Sequence, residues 1–366
     1  WPVWLSIAVL MAASFTWRKN LGLYGQLFDS NVGIAGVAIC AFWLFTAIFA
    51  GIVAPFDPLV QVAVMKDAMP GTVVPDTGLV YYFGGDKLAR DVFSRMVYGS
   101  QIVLIIAPSA TAFALMVGTT LGLPAGYYGG KVDAILSFLA NLVLAFPVIL
   151  LFYLLVTPGI VETGMPQWIA RVFFIVPIIF FGTLFFTRFK NRPQLLAVQL
   201  AIIVLLGGWV YLGLAFNADP LGIIAIDPNQ LNIFVAVVFA SSPGVFRIVR
   251  GLTMDIKTRD YVAAAQTRGE TPWYIMLWEI LPNARGPLIV DACLRIGYTT
   301  ILLGTLGYFG LGLAPESPDW GTAIKDASRL LRSFIHPALP PVFALMSFVL
   351  GLNLLADALR EQSMKD

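Results

Sequence analysis

Nine stretches of this chain are apolar over fifteen residues or more: roughly 2–16, 31–53, 101–126, 134–156, 170–187, 195–216, 231–249, 286–311 and 338–356. About 20 such residues span the ~30 Å hydrocarbon layer as a helix. Lipid offers the backbone no hydrogen-bond partners, so each span must satisfy its own. The pattern predicts an all-α polytopic membrane bundle of eight or nine spans, eight if the short first stretch does not cross. Composition removes the alternatives. Only 12% of the 366 residues are charged and 58% are hydrophobic, whereas soluble domains carry about 25% charged residues. A soluble enzyme, a nucleic-acid binder and a disordered chain are excluded, and a net charge of +2 implies no polyanionic partner.

The scarce charges orient the bundle. If 18–30, 127–133, 188–194, 247–285 and 357–366 share one face, that face holds fourteen basic against nine acidic residues, and the other face eight against eleven. Cytoplasmic loops carry the excess of Lys and Arg, which places these loops and the C-terminus in the cytoplasm. Arg18 and Lys19 follow the first apolar stretch, the reverse of a signal peptide. Cys40 and Cys293 lie in apolar runs and read as small core residues. The one histidine, His336, reads as a loop residue, and no histidine-based metal site is expected.

The long inside connection, 250–285, carries the clearest local design. Asp260 is placed to cap a helix that opens with Tyr261, Val262, Ala263, Ala264 and Ala265. Small alanines let another surface approach the backbone, and Gly269 permits a sharp turn after Arg268. Thr271 and Pro272 open a second helix as cap and first residue. Ile275, Met276, Leu277, Ile280 and Leu281 give it an apolar face, and Pro282 is expected to end it. The result is a helix–glycine–helix knob along the membrane face. On spacing alone, an ordinary amphipathic loop fits equally well.

The residues resemble the EAA loop of ABC importer permeases: two alanines of Ala263-Ala264-Ala265, then Gly269, then Ile280-Leu281-Pro282. Ala263 stands where that loop has Glu, so a charged contact there is absent. Four further segments resemble the peptide/nickel type. These are FGGDKLARDVFSRMVYG at 83–99, AGYYGGKVD at 125–133, FGLGLAPESPDWG at 309–321 and NLLADALR at 353–360. The chain is similar to the C-type subunit of dipeptide/oligopeptide importers, a type I (MetI-like) permease, over 53–156 and 231–362.

The resemblance divides the chain into an extension (1–30), a first core part (31–156), an inserted hairpin of two spans (157–230) and a second core part (231–366). It implies a non-catalytic gate with no catalytic residue and no metal. The helix around 261–269 would couple to ATPase subunits. ATP and Mg would sit on two partner ATPase subunits, since the chain lacks a G-x-x-x-x-G-K-[ST] loop. A second homologous permease subunit would complete the pathway in the bacterial inner membrane. An extracytoplasmic binding protein would deliver peptide, or alternatively nickel or an oligosaccharide, to the outer loops. Arg90, Asp91, Arg95 and Trp320 are candidates for that outer face. Asp86, Arg90, Asp91 and Arg95 read as an amphipathic outer helix, a docking surface or a brace on the gate. Trp273, Trp278 and Trp320 read as interfacial aromatics. Asp291 and Arg295, the charged pair within a span, share a helix face and are candidates for the pathway or an interface. The insertion is expected to be peripheral and to face lipid.

Gly118 and Gly122 predict a close helix contact, and Gly126 and Gly130 a turn. An ion-coupled transporter would need midplane carboxylates and has only Asp291. A membrane enzyme would need clustered His, Asp or Glu.

Overall fold

The computed structural model describes residues 1–219, 221–222, 228–311 and 316–363. Residues 312–315 of the 309–321 motif, and 220 and 223–227 of the insertion, lie outside the described residues. Among the described residues seven helices are long and apolar enough to cross a membrane. They are α2 (Asn31–Ile48), α3 (Val92–Tyr128), α6 (Met165–Phe189), α7 (Pro193–Phe216), α8 (Pro228–Ile256), α11 (Arg285–Phe309) and α13 (Leu339–Ser363). The pair α4 (Gly130–Leu144) and α5 (Val148–Val156), which meet at 81°, is apolar enough to make an eighth crossing if the two count as one broken span. Pro147 stands at the break; it lacks an N–H and steers the residue before it out of helical geometry.

The ninth expected span is not one by length. The 2–16 stretch forms α1 (Pro2–Trp17), whose 16 residues rise only ~24 Å. Three further helices carry the argument, α9 (Asp260–Thr267), α10 (272–283) and α12 (Trp320–Ser328), beside short single turns such as Gly22–Gln26, Ala50–Val53 and Pro158–Glu162. One antiparallel hairpin, Thr72–Val73 with Val80–Tyr81, interrupts the helical architecture in the 54–91 connection.

Two compact units divide the chain: 1–108 with 293–366, and 109–292. In the first, α2 and α13 pack at glycines. A Cβ on Gly36 would fall 2.8 Å from the Leu355 amide nitrogen, and one on Gly351 2.8 Å from Ile39. The core there joins Trp43, Val103, Trp320, Ala344, Phe348 and Leu352. α1 leans on α2 through Trp4 and Phe42, 5.6 Å between rings.

In the second unit, α3 and α8 run in close contact along three glycines. A Cβ on Gly118 would lie 2.5 Å from Val245, on Gly122 2.8 Å from Val249, and on Gly126 2.6 Å from the Arg250 carbonyl. Gly126 therefore belongs to the helix contact and not to the turn expected from sequence. The turn is made by Gly129 and Gly130, at φ +66° and +55°, where a side chain would be strained. The insertion divides sharply. α6 packs Phe173 against Phe239 and Phe174 against Phe234 of α8. In the most apolar stretch of α7, by contrast, no residue is buried.

Candidate functional site

The 250–285 knob is built on apolar residues. Val262 and Ala265 of α9 and Ile275, Met276, Leu277 and Ile280 of α10 are wholly buried, or nearly so, with Leu123, Val245, Val249 and Ile256. Each buried aliphatic side chain contributes about 1.5–3 kcal/mol, so the knob is fastened to the C-terminal ends of α3 and α8. Ala265 is thus part of the underlay and unavailable to a partner. The exposed face of α9 carries Tyr261, Ala263, Ala264, Thr267 and Arg268.

Both ends of α9 are defined. Asp260 is its first residue and not its cap: Arg259 takes the extended capping position, and no side-chain cap bond forms. The Asp260 carboxylate still stands in the first turn, where the helix dipole favours it. At the other end Gly269 lies at φ +77°. Its N–H donates to the Gln266 carbonyl (2.9 Å) and the Glu270 N–H to the Ala265 carbonyl (3.2 Å). These two bonds close the helix in a Schellman motif.

Thr271 caps α10 as expected, accepting from the Tyr274 N–H at 3.4 Å. Pro282 does not end α10. Residues Ile275–Ile280 widen into a π-helical turn, and the chain stays helical through Leu281–Asn283. The wide turn makes room for a proline ring that would otherwise meet the carbonyl four residues back. Asn283 Nδ2 donates to the Glu279 carbonyl at 2.6 Å.

Polar ties surround the knob. Arg268 pairs with Glu279 at 2.9 Å, both partly exposed. The Lys257 ammonium donates to the Gly126 carbonyl (2.7 Å) and the Tyr127 carbonyl (3.2 Å), on the last turn of α3. Arg250 grips Asp133 with Nε and Nη2. Sequence reading missed these ties. Their signal was present in the basic residues spaced along the end of α8, each one or two turns from the next. Trp278 is also no free interfacial ring: its Nε1 donates to Thr187 Oγ1 (3.1 Å), and the Arg188 guanidinium lies 4.8 Å from its centroid.

The outer candidates form a different kind of cluster. Arg90, Asp91, Arg95 and Trp320 are all buried, so they form neither an amphipathic outer helix nor a docking surface. Residues 83–91 are an irregular loop ahead of α3. Arg90 Nε donates to Asp86 Oδ2 (2.7 Å) and its Nη2 to Asp326 Oδ2 (3.0 Å). Lys87 reaches the other Asp326 oxygen at 2.7 Å. Asp91 caps α3, accepting from the Ser94 N–H (2.8 Å) and hydroxyl (2.6 Å). Arg95 Nη2 donates to the Ser317 carbonyl at 2.9 Å. Asp319 caps α12 through Thr322. The Trp320 Nε1 donates to the Met96 carbonyl (2.9 Å), over Gly99, and the ring meets Trp43 at 5.0 Å.

Burial pushes the Asp91 and Asp319 carboxyls above the usual carboxylate range. Burial acts the same way on Asp326, but the hydrogen bonds and charges of Lys87 and Arg90 outweigh it and hold that carboxyl low. Asp291 and Arg295 are both half-buried on α11. The two cysteines are unpaired thiols, and among the described residues no group of His, Cys, Asp and Glu could hold a metal. His336 lies in the loop after α12, its ring 5.8 Å from Phe334.

Seven helices long and apolar enough to cross a membrane, or eight with the bent pair, define a polytopic membrane protein. The family described as "Binding-protein-dependent transport system inner membrane component" matches residues 118–363, and the chain belongs to it. It is similar to the dipeptide transport system permease protein DppC of Alkalihalophilus pseudofirmus, 27% identical over 94% of this chain and 88% of that protein. The di/tripeptide transport system permease protein DppC of Pseudomonas aeruginosa is 27% identical over 95% and 93%. The glutathione transport system permease protein GsiD of Pectobacterium atrosepticum is 29% identical over 77% and 71%. The chain is therefore a multi-pass permease component of the inner membrane.

Proposed function

We propose that this chain is one half of the translocation pathway of an ATP-driven importer of short peptides, handed over by an extracytoplasmic binding protein. A second homologous permease subunit forms the other half. The chain itself is non-catalytic; ATP and Mg are held by two ATPase subunits or domains, and α9 is the surface they move. The reading rests on one observation above all. α9 presents a face of small side chains and Tyr261 outward, while its buried face shares one apolar cluster with α3 and α8. A push or pull on such a knob reaches two membrane-crossing helices as a rigid-body motion, because interiors this closely packed do not absorb displacement.

The excess of basic residues on the knob's side supports a cytoplasmic position for it and for the C-terminus. Peptide as cargo is supported by the printed names of the relatives. On the outer side the buried Arg90–Asp86–Asp326 cluster is a brace that keeps the cap in shape for a binding protein to meet. Asp291 and Arg295 are candidates for the pathway wall or the permease interface.

The test is reconstitution of the full complex in vesicles with ATP inside and labelled dipeptide outside. Gly269→Trp should insert and assemble but lose both uptake and stimulated ATP hydrolysis. Uptake at the wild-type rate would remove α9 from the coupling role.

A further inference from the structure

The tip of the inserted hairpin and the start of α10 enclose a polar cavity of about 410 Å³ that neither the fold nor the proposed transport cycle uses. Its wall carries Arg188, Lys190 and Arg192 from the hairpin turn, with Asn191, and Glu270 and Tyr274 from the knob. Three cations face one carboxylate. Among the described residues none of the three forms an ion pair; Arg188 rests on the Trp278 ring instead. A turn bond from the Arg192 N–H to the Phe189 carbonyl (2.8 Å) gathers the three cations into five residues. Directly after them α7 begins, with Arg192 as its N-cap and no side chain bonded to its first amides. The positive end of a ten-residue helical segment thus adds to the three charges.

We propose that this cavity is a binding site for the phosphate headgroup of an anionic phospholipid. The charge complement selects a phosphate-bearing anion, and the two helices select lipid as its source. The tip joins two membrane-crossing helices, so it lies where the hydrocarbon layer ends. Below it α7 and the outer side of α6 offer exposed apolar side chains, Phe186, Leu195, Val198 and Ile202, along which acyl chains can lie. Basic pockets between helices at the cytoplasmic face are the usual seat of such headgroups. Tyr274 offers a hydroxyl, and Glu270 suits the hydroxyls of a glycerol headgroup better than a bare phosphate. The insertion is then a lipid-reading element fastened to the knob through Thr187 and Trp278.

The site is tested on the full purified chain in detergent by native mass spectrometry. The probes are phosphatidylglycerol and phosphatidylcholine of equal chain length. The wild type should retain one phosphatidylglycerol at least tenfold more tightly than phosphatidylcholine. The triple variant R188Q/K190Q/R192Q should lose that preference and the single variant Lys190→Glu should weaken it. Lys131→Gln, an exposed charge at the start of α4, should leave it unchanged. Equal retention by the wild type and the triple variant would overturn the proposal. So would displacement of the lipid by millimolar inorganic phosphate, which would make this a free-anion site. Loss of copurifying ATPase from the triple variant with lipid retention intact would also overturn it, since that would make the tip a protein-docking surface.

Discussion

The Arg90 clasp and the α9 knob use charge in opposite ways. Around Arg90 the ions are buried: the arginine is 1% exposed, and its partners Asp86 and Asp326 are also largely out of water. Around α9 the ions are on the outside, and Arg268, Arg259 and Asp255 stand in solvent over an apolar base. Buried charge is costly unless it is paired, and a cluster paired across three segments, the 86–90 loop, α3 and α12, has one geometry. Exposed pairs contribute about 0–1 kcal/mol and can be exchanged for a partner's groups at little cost. The clasp is built to keep a shape, and the knob to be held by its underside while its face stays free.

This contrast sets an order of effects. Arg90→Ala leaves Asp86 with only the longer contact to Arg95 (3.8 Å) and Asp326 with Lys87 alone, and should cost about 3–5 kcal/mol, seen as a large fall in the melting temperature of the purified protein. A melt unchanged by this variant would break the contrast outright. Gly269→Trp forces a side chain into φ +77°, a cost of roughly 1–2 kcal/mol, and should abolish uptake with most stability retained. Gly269→Asn, which tolerates that backbone, should keep a measurable rate. Asp319→Ala removes the α12 cap and should cost about 1 kcal/mol, read in the same melt. Arg268→Ala should change stability by less than about 1 kcal/mol, and a larger loss would show that the knob too is held by its ions.

The clasp should also answer to acid. The Asp326 carboxyl is held low in the folded protein, so its contribution is present above the ordinary aspartate range and is lost as pH falls through the folded value. Asp91 and Asp319 are held high and run the other way, their contribution fading as pH rises through their folded values. Asp326→Asn should therefore flatten the acid side of the melting-temperature profile. An acid limb identical to the wild type would assign that limb elsewhere.

Much of this was legible in the sequence because lipid imposes long apolar runs and because glycine at a positive φ leaves a mark. Most of the spans, the part of Gly130 in its turn, the Gly269 turn and the Thr271 cap follow from residue type alone. The misreadings share one cause, which is that burial is set by what another segment brings. Residues 83–95 carry alternating charges and look wet until Asp326, over two hundred positions away, closes on Arg90. Trp320 looks interfacial until Gly99 makes room for it. Ala265 looks available until the C-terminal ends of α3 and α8 cover it. The break at Pro147 hid inside a run whose apolar character continues across it. The contact of Phe173 and Phe174 of α6 with α8 was masked by the likeness of α6 to the exposed α7.

The π-turn at Ile275–Ile280 has a consequence for the span that follows it. A helix advances 3.6 residues per turn, so each residue added to or removed from it changes the angular phase of everything downstream by ~100°. The wide turn is such a phase shift, set immediately before α11. It fixes the azimuth at which that helix leaves the knob, and with it the compass bearing of Asp291 and Arg295. Removing one residue between 275 and 280 would preserve the composition, length class and hydropathy of the span while turning its polar residues toward a different neighbour.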